Sequence, residues 1–271
     1  MKLIKSLSLI CALCALAGIS YAQKSVVIRD TAAKKKMMPV PRPKKPKPID
    51  REISFGLRAA TNGWSIFADK GYVMSEEKNS DLFYNIRLFQ VEFGEAKHPK
   101  EIKRTNNIYS SSNDQSKPFI YGKENNFYAL KLGYGFRRMI AGKPEPGTVS
   151  IHWVYLGGLS IGLLKPYYIN VAGSPQAIKY SDSTKGMFLD KPNIIGSAGF
   201  TTGIGEIKIV PGLHAKTALH FDFANRKNMV LAVETGVNAE VYAKKLEIMA
   251  NQTASNFLVN FYGSIQFGKR K

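Results

Sequence analysis

Side chains able to do chemistry are sparse in this 271-residue sequence, which has two cysteines, Cys11 and Cys14, and four histidines, His98, His152, His214 and His220. Both cysteines fall in an apolar leader, so the rest of the chain offers no thiolate for a metal and no disulfide. His214, His220 and Asp222 are ligand types that suit zinc. Their spacing puts them on one face of a strand, but six strand residues span about 20 Å, so they cannot share one ion. No nucleophile stands near them, and His98 lies beside Pro99 in a polar stretch. Gly203-Ile204-Gly205 resembles the turn of a phosphate-cradling loop, yet no Lys-Ser/Thr follows it. The expectation is no catalytic residue, no metal and no cofactor.

What remains is a set of ionisable residues at alternate positions of apolar segments. Arg58, Arg87, Lys131, Arg137, Lys216, His214 and His220 stand against Glu52, Asp222, Glu234 and Glu240. If these side chains share one enclosed interior, opposite charges must pair, because an unpaired buried ion costs several kcal/mol (roughly, by). The reading is a packed ion-pair network that seals the interior rather than a conducting path.

The elements that would position them are strands. From Phe257 the chain alternates: Phe257, Val259, Phe261, Gly263, Ile265 and Phe267 to one side, Leu258, Asn260, Tyr262, Ser264 and Gln266 to the other. A period of two is a β-strand, and about ten residues with one apolar and one polar face suits a strand that crosses a bilayer at a tilt. Seven further segments are expected at Glu52–Ala60, Trp64–Val73, Leu82–Glu95, Phe127–Arg137, Thr148–Leu164, Leu213–Phe223 and Met229–Tyr242. Asn62-Gly63 reads as the tight turn between the first two. In the third, Leu82, Tyr84, Ile86 and Leu88 are expected outside and Arg87 inside, with the phase blurring from Phe89 to Phe93. Ile194–Gly205 is read as a packed loop capping the barrel, and Tyr167 and Tyr168 as part of an aromatic girdle.

Connections after the third, fifth and seventh segments are long (Ala96–Asn126, about Lys165–Gly212 and Ala243–Ala254), and those after the second, fourth and sixth are shorter. A soluble β-sandwich, the alternative fold, has no reason to sort its loops by parity; a membrane barrel with both termini on one side does. The fold class expected for 52–271 is all-β, an antiparallel up-and-down transmembrane β-barrel of about eight strands.

Ahead of it, residues 1–22 read as a secretory signal peptide: Lys2 and Lys5, an apolar run from Leu7 to Ile19, and cleavage after Ala22. Residues 23–51 form a basic, proline-rich tail, expected to be disordered, with ten Lys/Arg against Asp30 and Asp50, or +8 of the formal +19. Its Lys34, Lys35, Lys36, Arg42, Lys44, Lys45 and Lys47 are the residues expected to contact an acidic partner. Export argues against nucleic acid.

Gly205-Glu206-Ile207-Lys208-Ile209-Val210-Pro211-Gly212-Leu213 and Phe261-Tyr262-Gly263-Ser264-Ile265-Gln266-Phe267-Gly268-Lys269-Arg270, together with the order of elements, resemble the small OmpA/OmpX-type outer-membrane barrels, and in detail barrel proteins of the Bacteroidota envelope. The likeness covers 52–271. Gly263, Ile265 and Phe267 resemble the assembly signal of such barrels; Gly268 to Lys271 extend past the aromatic at which many proteobacterial barrels stop. The resemblance implies a cell outer-membrane location and contact with outer-membrane lipid. Some barrels of this size modify lipids, but the His-x-Ser arrangement of the deacylases is missing. The expected function is a non-catalytic envelope scaffold or accessory subunit of a secretion or assembly complex, with a periplasmic or outer-membrane protein partner reached through the arm. The alternatives are a narrow channel or small-ligand barrel and, further off, a lipid-modifying enzyme.

Overall fold

The computed structural model describes residues 50–74, 85–106, 108, 117–142, 148–223 and 228–271. The leader, the arm from Lys34 to Lys47, Leu82 to Tyr84 and residues 143–147 and 224–227 lie outside them. In chain order the elements are β1 (Arg51–Ala60), β2 (Gly63–Val73), β3 (Ile86–Ala96), β4 (Lys103–Arg104), β5 (Phe119–Ile120), β6 (Asn125–Ala141), β7 (Ser150–Pro166), β8 (Tyr168–Val171), β9 (Ile178–Lys179), the single turn α1 (Lys185–Phe188), β10 (Ile194–Ser197), β11 (Lys208–Asp222), β12 (Met229–Leu246) and β13 (Ser255–Arg270).

Eight of these strands close into a barrel in the order β1-β2-β3-β6-β7-β11-β12-β13 and back to β1. Every pairing is antiparallel, and the seam runs from Glu52↔Arg270 to Ala60↔Tyr262. Closure removes both sheet edges, so each strand finds its backbone partners inside the wall.

Polarity is the reverse of a soluble protein's. Phe55 (64% exposed), Leu57 (68%), Leu159 (61%), Phe261 (63%) and Phe267 (59%) stand outside, while Glu52, Arg58, Arg137, Lys216, His220 and Glu234 are buried. Strict alternation along β1, β2, β3 and β13 produces the sorting.

Three expectations need correction. In β3 the phase is inverted: Ile86 and Leu88 are inside, and Arg87 is exposed on the outer wall with Phe89, Val91 and Phe93. The register from Val73↔Ile86 to Gly63↔Ala96 carries no bulge. Hydropathy misleads here because the interior has an apolar patch, where Leu88 packs with Val154, Leu156, Ala218 and Tyr262. In the first hairpin, Gly63 already pairs with Ala60, so Thr61-Asn62 is the loop. Gly63 is needed for close approach instead: a Cβ there would lie 1.9 Å from the Glu95 carbonyl oxygen. Finally, β13 continues past Phe267, the expected end of the last segment, so Gly268-Lys269-Arg270 belongs to the wall.

The wall is uneven in height. β1, β2 and β3 have 10, 11 and 11 residues, whereas β6, β7, β11, β12 and β13 have 17, 17, 15, 18 and 16. At roughly 3.3 Å per residue the long strands outreach the short ones by about 20 Å. The connections 97–124, 167–207 and 247–254 share that end with the Thr61-Asn62 loop. Part of 167–207 folds as a three-stranded sheet, β10-β8-β9, over a small core of Phe119, Ile169, Val171, Phe188 and Ile194.

Candidate functional site

Among the described residues the interior gathers most of the buried polar groups, and it is layered. Near the short-turn end, Arg137 Nη1 donates to Glu52 Oε1 at 2.5 Å, and Arg270 bridges Glu52 (Nε to Oε2, 3.0 Å) and Asp222. His152 and His220 stand edge to face there, centroids 5.8 Å apart. In the next layer Asp69 accepts from Gln90 (2.6 Å) and Gln266 (2.8 Å), with Arg137 Nη2 at 4.0 Å.

The middle layer centres on Glu234. Its carboxylate accepts from Lys216 (3.0 Å) and Tyr262 (2.8 Å) and lies 3.3 Å from His220 Nδ1 and 3.5 Å from Arg58. Arg58 is ion-paired to Glu92 and lies between the Phe67 and Tyr262 rings, 4.7 and 4.1 Å from their centroids. Lys131 then joins Glu92 (3.0 Å) to Glu240 (2.6 Å), and Glu240 also accepts from Tyr242 and Asn238, both at 2.6 Å.

Above Glu240 the interior turns apolar. Phe127, Leu164, Val210, Tyr242, Leu246 and Ile248 form a buried plug under the long connections. Ion pairs below and hydrocarbon above occupy most of the bore, leaving about 30 Å³ lined by Arg58, Glu92, Lys131 and Glu240, close to the filling expected for a barrel of eight strands.

The structure therefore brings together Arg58, Lys131, Arg137, Lys216, His220, Asp222, Glu234 and Glu240. It leaves Arg87 outside. His214 is buried in the wall near Lys131, but it does not meet His220 and Asp222 around one ion, and no group of metal-ligating residues stands among the described residues. Sequence reasoning missed Asp69, Gln90, Glu92 and Arg270. Parity from Trp64 and Ile66 would have placed Asp69, and parity from Phe89, Val91 and Phe93 would have placed Gln90 and Glu92. Gly263, Ile265 and Phe267 face outward on β13.

Outside, one end of the wall carries a run of touching rings. Tyr72–Phe89, Phe89–Tyr134, Tyr134–Phe136, Phe136–Tyr155 and Tyr155–Trp153 have centroids 6.1, 4.9, 5.7, 5.7 and 5.1 Å apart. Cations flank it: Lys70 lies over Tyr72 and Arg138 over Tyr155. Tyr167 and Tyr168, expected in a girdle, hydrogen-bond within the long connection. Tyr167 Oη accepts from Ile120 N (3.2 Å) and Tyr168 Oη donates to Glu206 (2.9 Å). At the rim just outside β6, Lys123 is ion-paired with Glu101 at 2.6 Å. Burial, then the neighbouring Glu247, push the Glu124 carboxyl up to about 7.

The class that fold and site define is a closed eight-stranded antiparallel barrel with its polar residues enclosed and its apolar residues exposed. No family model matches the chain, and no curated protein matches it significantly. Among solved structures it is similar to the N-terminal β-barrel domain of Pseudomonas aeruginosa OprF (10% identity, TM-score 0.32, covering 82% of this chain and 96% of that one). It is similar also to Neisserial surface protein A (13%, 0.33, 81% and 94%) and to Ail, the attachment invasion locus protein of Yersinia pestis (11%, 0.33, 82% and 97%). The class rests on the closed wall and its polarity.

Proposed function

We propose that the chain is a non-conducting, non-catalytic outer-membrane barrel that acts as an envelope scaffold. On this reading it anchors the folded connections at the outer surface and holds a basic arm in the periplasm as the accessory subunit of an assembly. The observation that carries it is the inverted polarity. Large apolar side chains exposed all round a closed wall suit lipid and not water. The ring belt with Lys70, Arg87 and Arg138 beside it suits one membrane interface, where aromatic and cationic side chains settle. The filled bore favours scaffold over channel. Gly263, Ile265 and Phe267 would serve as the assembly signal on the lipid face of β13.

The test is a heat-modifiability gel on outer-membrane fractions, followed by planar-bilayer recording. Folded protein should migrate apart from boiled protein and give no steady conductance. A soluble protein without a gel shift would overturn the membrane reading, and stable single-channel steps would overturn the sealed bore. For the arm, deletion of Lys34–Pro48 should leave the gel shift intact and release an acidic periplasmic partner; unchanged co-purification would refute that role.

A further inference from the structure

On the outer wall at the long-loop end, a cleft of about 850 Å³ lies between β2, β3, β6, β7 and the segment 197–207 that folds over them. That size falls within the roughly 300–1,000 Å³ of small-molecule sites. Its floor follows one level of the sheet, Trp64↔Glu95, Glu95↔Tyr128 and Tyr128↔Leu163. Phe93 lies beneath, its ring stacked on Tyr128 at 6.2 Å. Phe200 and Ile204 line the roof side.

The next level down is Ile66, Phe93, Leu130 and Ile161, all on the same outward face. The floor therefore runs into the apolar belt without a polar break, and a hydrocarbon chain could slide in from the belt while staying out of water. The rim is cationic, with four lysines against two glutamates. Lys123 is held by Glu101 at 2.6 Å, and Lys97 lies 3.5 Å from Glu95. Lys165 differs: the residue is 4% exposed, its ammonium sits 4.8 Å from the Phe200 ring, and no carboxylate among the described residues pairs with it. Its stem is covered while its ammonium opens on the cleft, so an anion brought by a ligand would find an unpaired cation in a partly desolvated place.

We propose that this cleft binds one acylated, phosphate-bearing lipid of the surrounding leaflet, its phosphate at Lys165 and its chain along Phe93, Tyr128 and Leu163. The proposal rests on the membrane reading above. Charge complementarity at one end and continuity with the lipid-facing belt at the other select this occupant over a peptide or a soluble anion.

The full chain is reconstituted in phosphatidylcholine vesicles containing phosphatidylglycerol with a photoactivatable acyl chain. A parallel set carries the same chain on diacylglycerol. Adducts should concentrate, several-fold, on peptides holding Phe93, Tyr128, Leu163 or Phe200 over those holding Val241 or Phe261 on the far side. Lys165→Gln should lower phosphatidylglycerol labelling several-fold and leave diacylglycerol labelling unchanged; Phe200→Ser, which opens the roof, should lower both. Even labelling round the belt, or undiminished phosphatidylglycerol labelling in Lys165→Gln, would overturn the site. Displacement of the probe by excess inorganic phosphate would assign the cleft to a free anion and overturn the lipid. A gel shift is read on every sample: its presence with even labelling refutes the cleft alone, whereas its loss in the parent chain refutes the barrel reading with it.

Discussion

Replacing Glu234 by Gln tests whether the bore is packed or wet. The change keeps the side-chain shape and removes the charge at the centre of the middle layer. Lys216, 4% exposed, has its 3.0 Å ion pair with this carboxylate, and Arg58 and His220 also face it. Removing one partner of a buried pair costs about 3–5 kcal/mol. With a urea slope of about 1–3 kcal/mol per molar, the unfolding midpoint should fall by roughly 2 M. The assay is a urea titration in phosphatidylcholine vesicles, with folded and unfolded bands resolved on an unboiled gel. Adding Lys216→Met should return much of the loss, because an apolar side chain of similar length then needs no counter-ion. A loss of about 0.5 kcal/mol or less, the range of a solvated surface site, would mean that water screens the network and that the sealed-bore reasoning is wrong.

Leu57→Lys probes the other face. Leu57 is 68% exposed and central in β1, so in a soluble protein the change would be nearly neutral, whereas in a bilayer it should cost about 2–4 kcal/mol; the same titration separates the two, and a neutral result refutes the lipid belt. At the rim, Glu124 has a folded-state pKa of about 7 against an ordinary 4.5. The folded chain therefore keeps a proton that the unfolded chain has lost, so rim stability falls as pH rises from about 4.5 to about 7 and is level beyond it. Amide exchange at 124–126, corrected for intrinsic rate, should follow that slope and flatten in Glu124→Gln; an unchanged slope in the variant refutes the assignment.

Much of this was legible in the chain because a closed barrel imposes a period of two on every strand. β1, β6, β12 and β13 obey it with polar residues on one side, and their faces follow from residue type. β3 is the instructive exception. Its inner positions run Ile86, Leu88, Gln90, Glu92, so the side facing the interior starts apolar and ends charged, and hydropathy at one end points the wrong way. Only cross-strand register, a long-range property, fixes the phase. Arg270 was missed for a related reason: a basic terminus reads as solvated until the first strand, some 218 residues away, supplies Glu52 as its partner. The sheet over Phe119 and Phe188 left little trace in the sequence, since β8, β9 and β10 have 4, 2 and 4 residues, too short for a period to emerge.

The uneven wall has a consequence for neighbours. A barrel of equal strands looks the same from every side to whatever diffuses past it. With β6, β7, β11, β12 and β13 rising on one flank and β1 to β3 ending early on the other, this molecule has a front and a back within the plane in which it would diffuse. Anything that docks sideways meets a tall parapet from one bearing and a low sill from the opposite one. Contacts formed laterally would thus depend on bearing, tall flank against tall flank burying more wall than low sill against low sill.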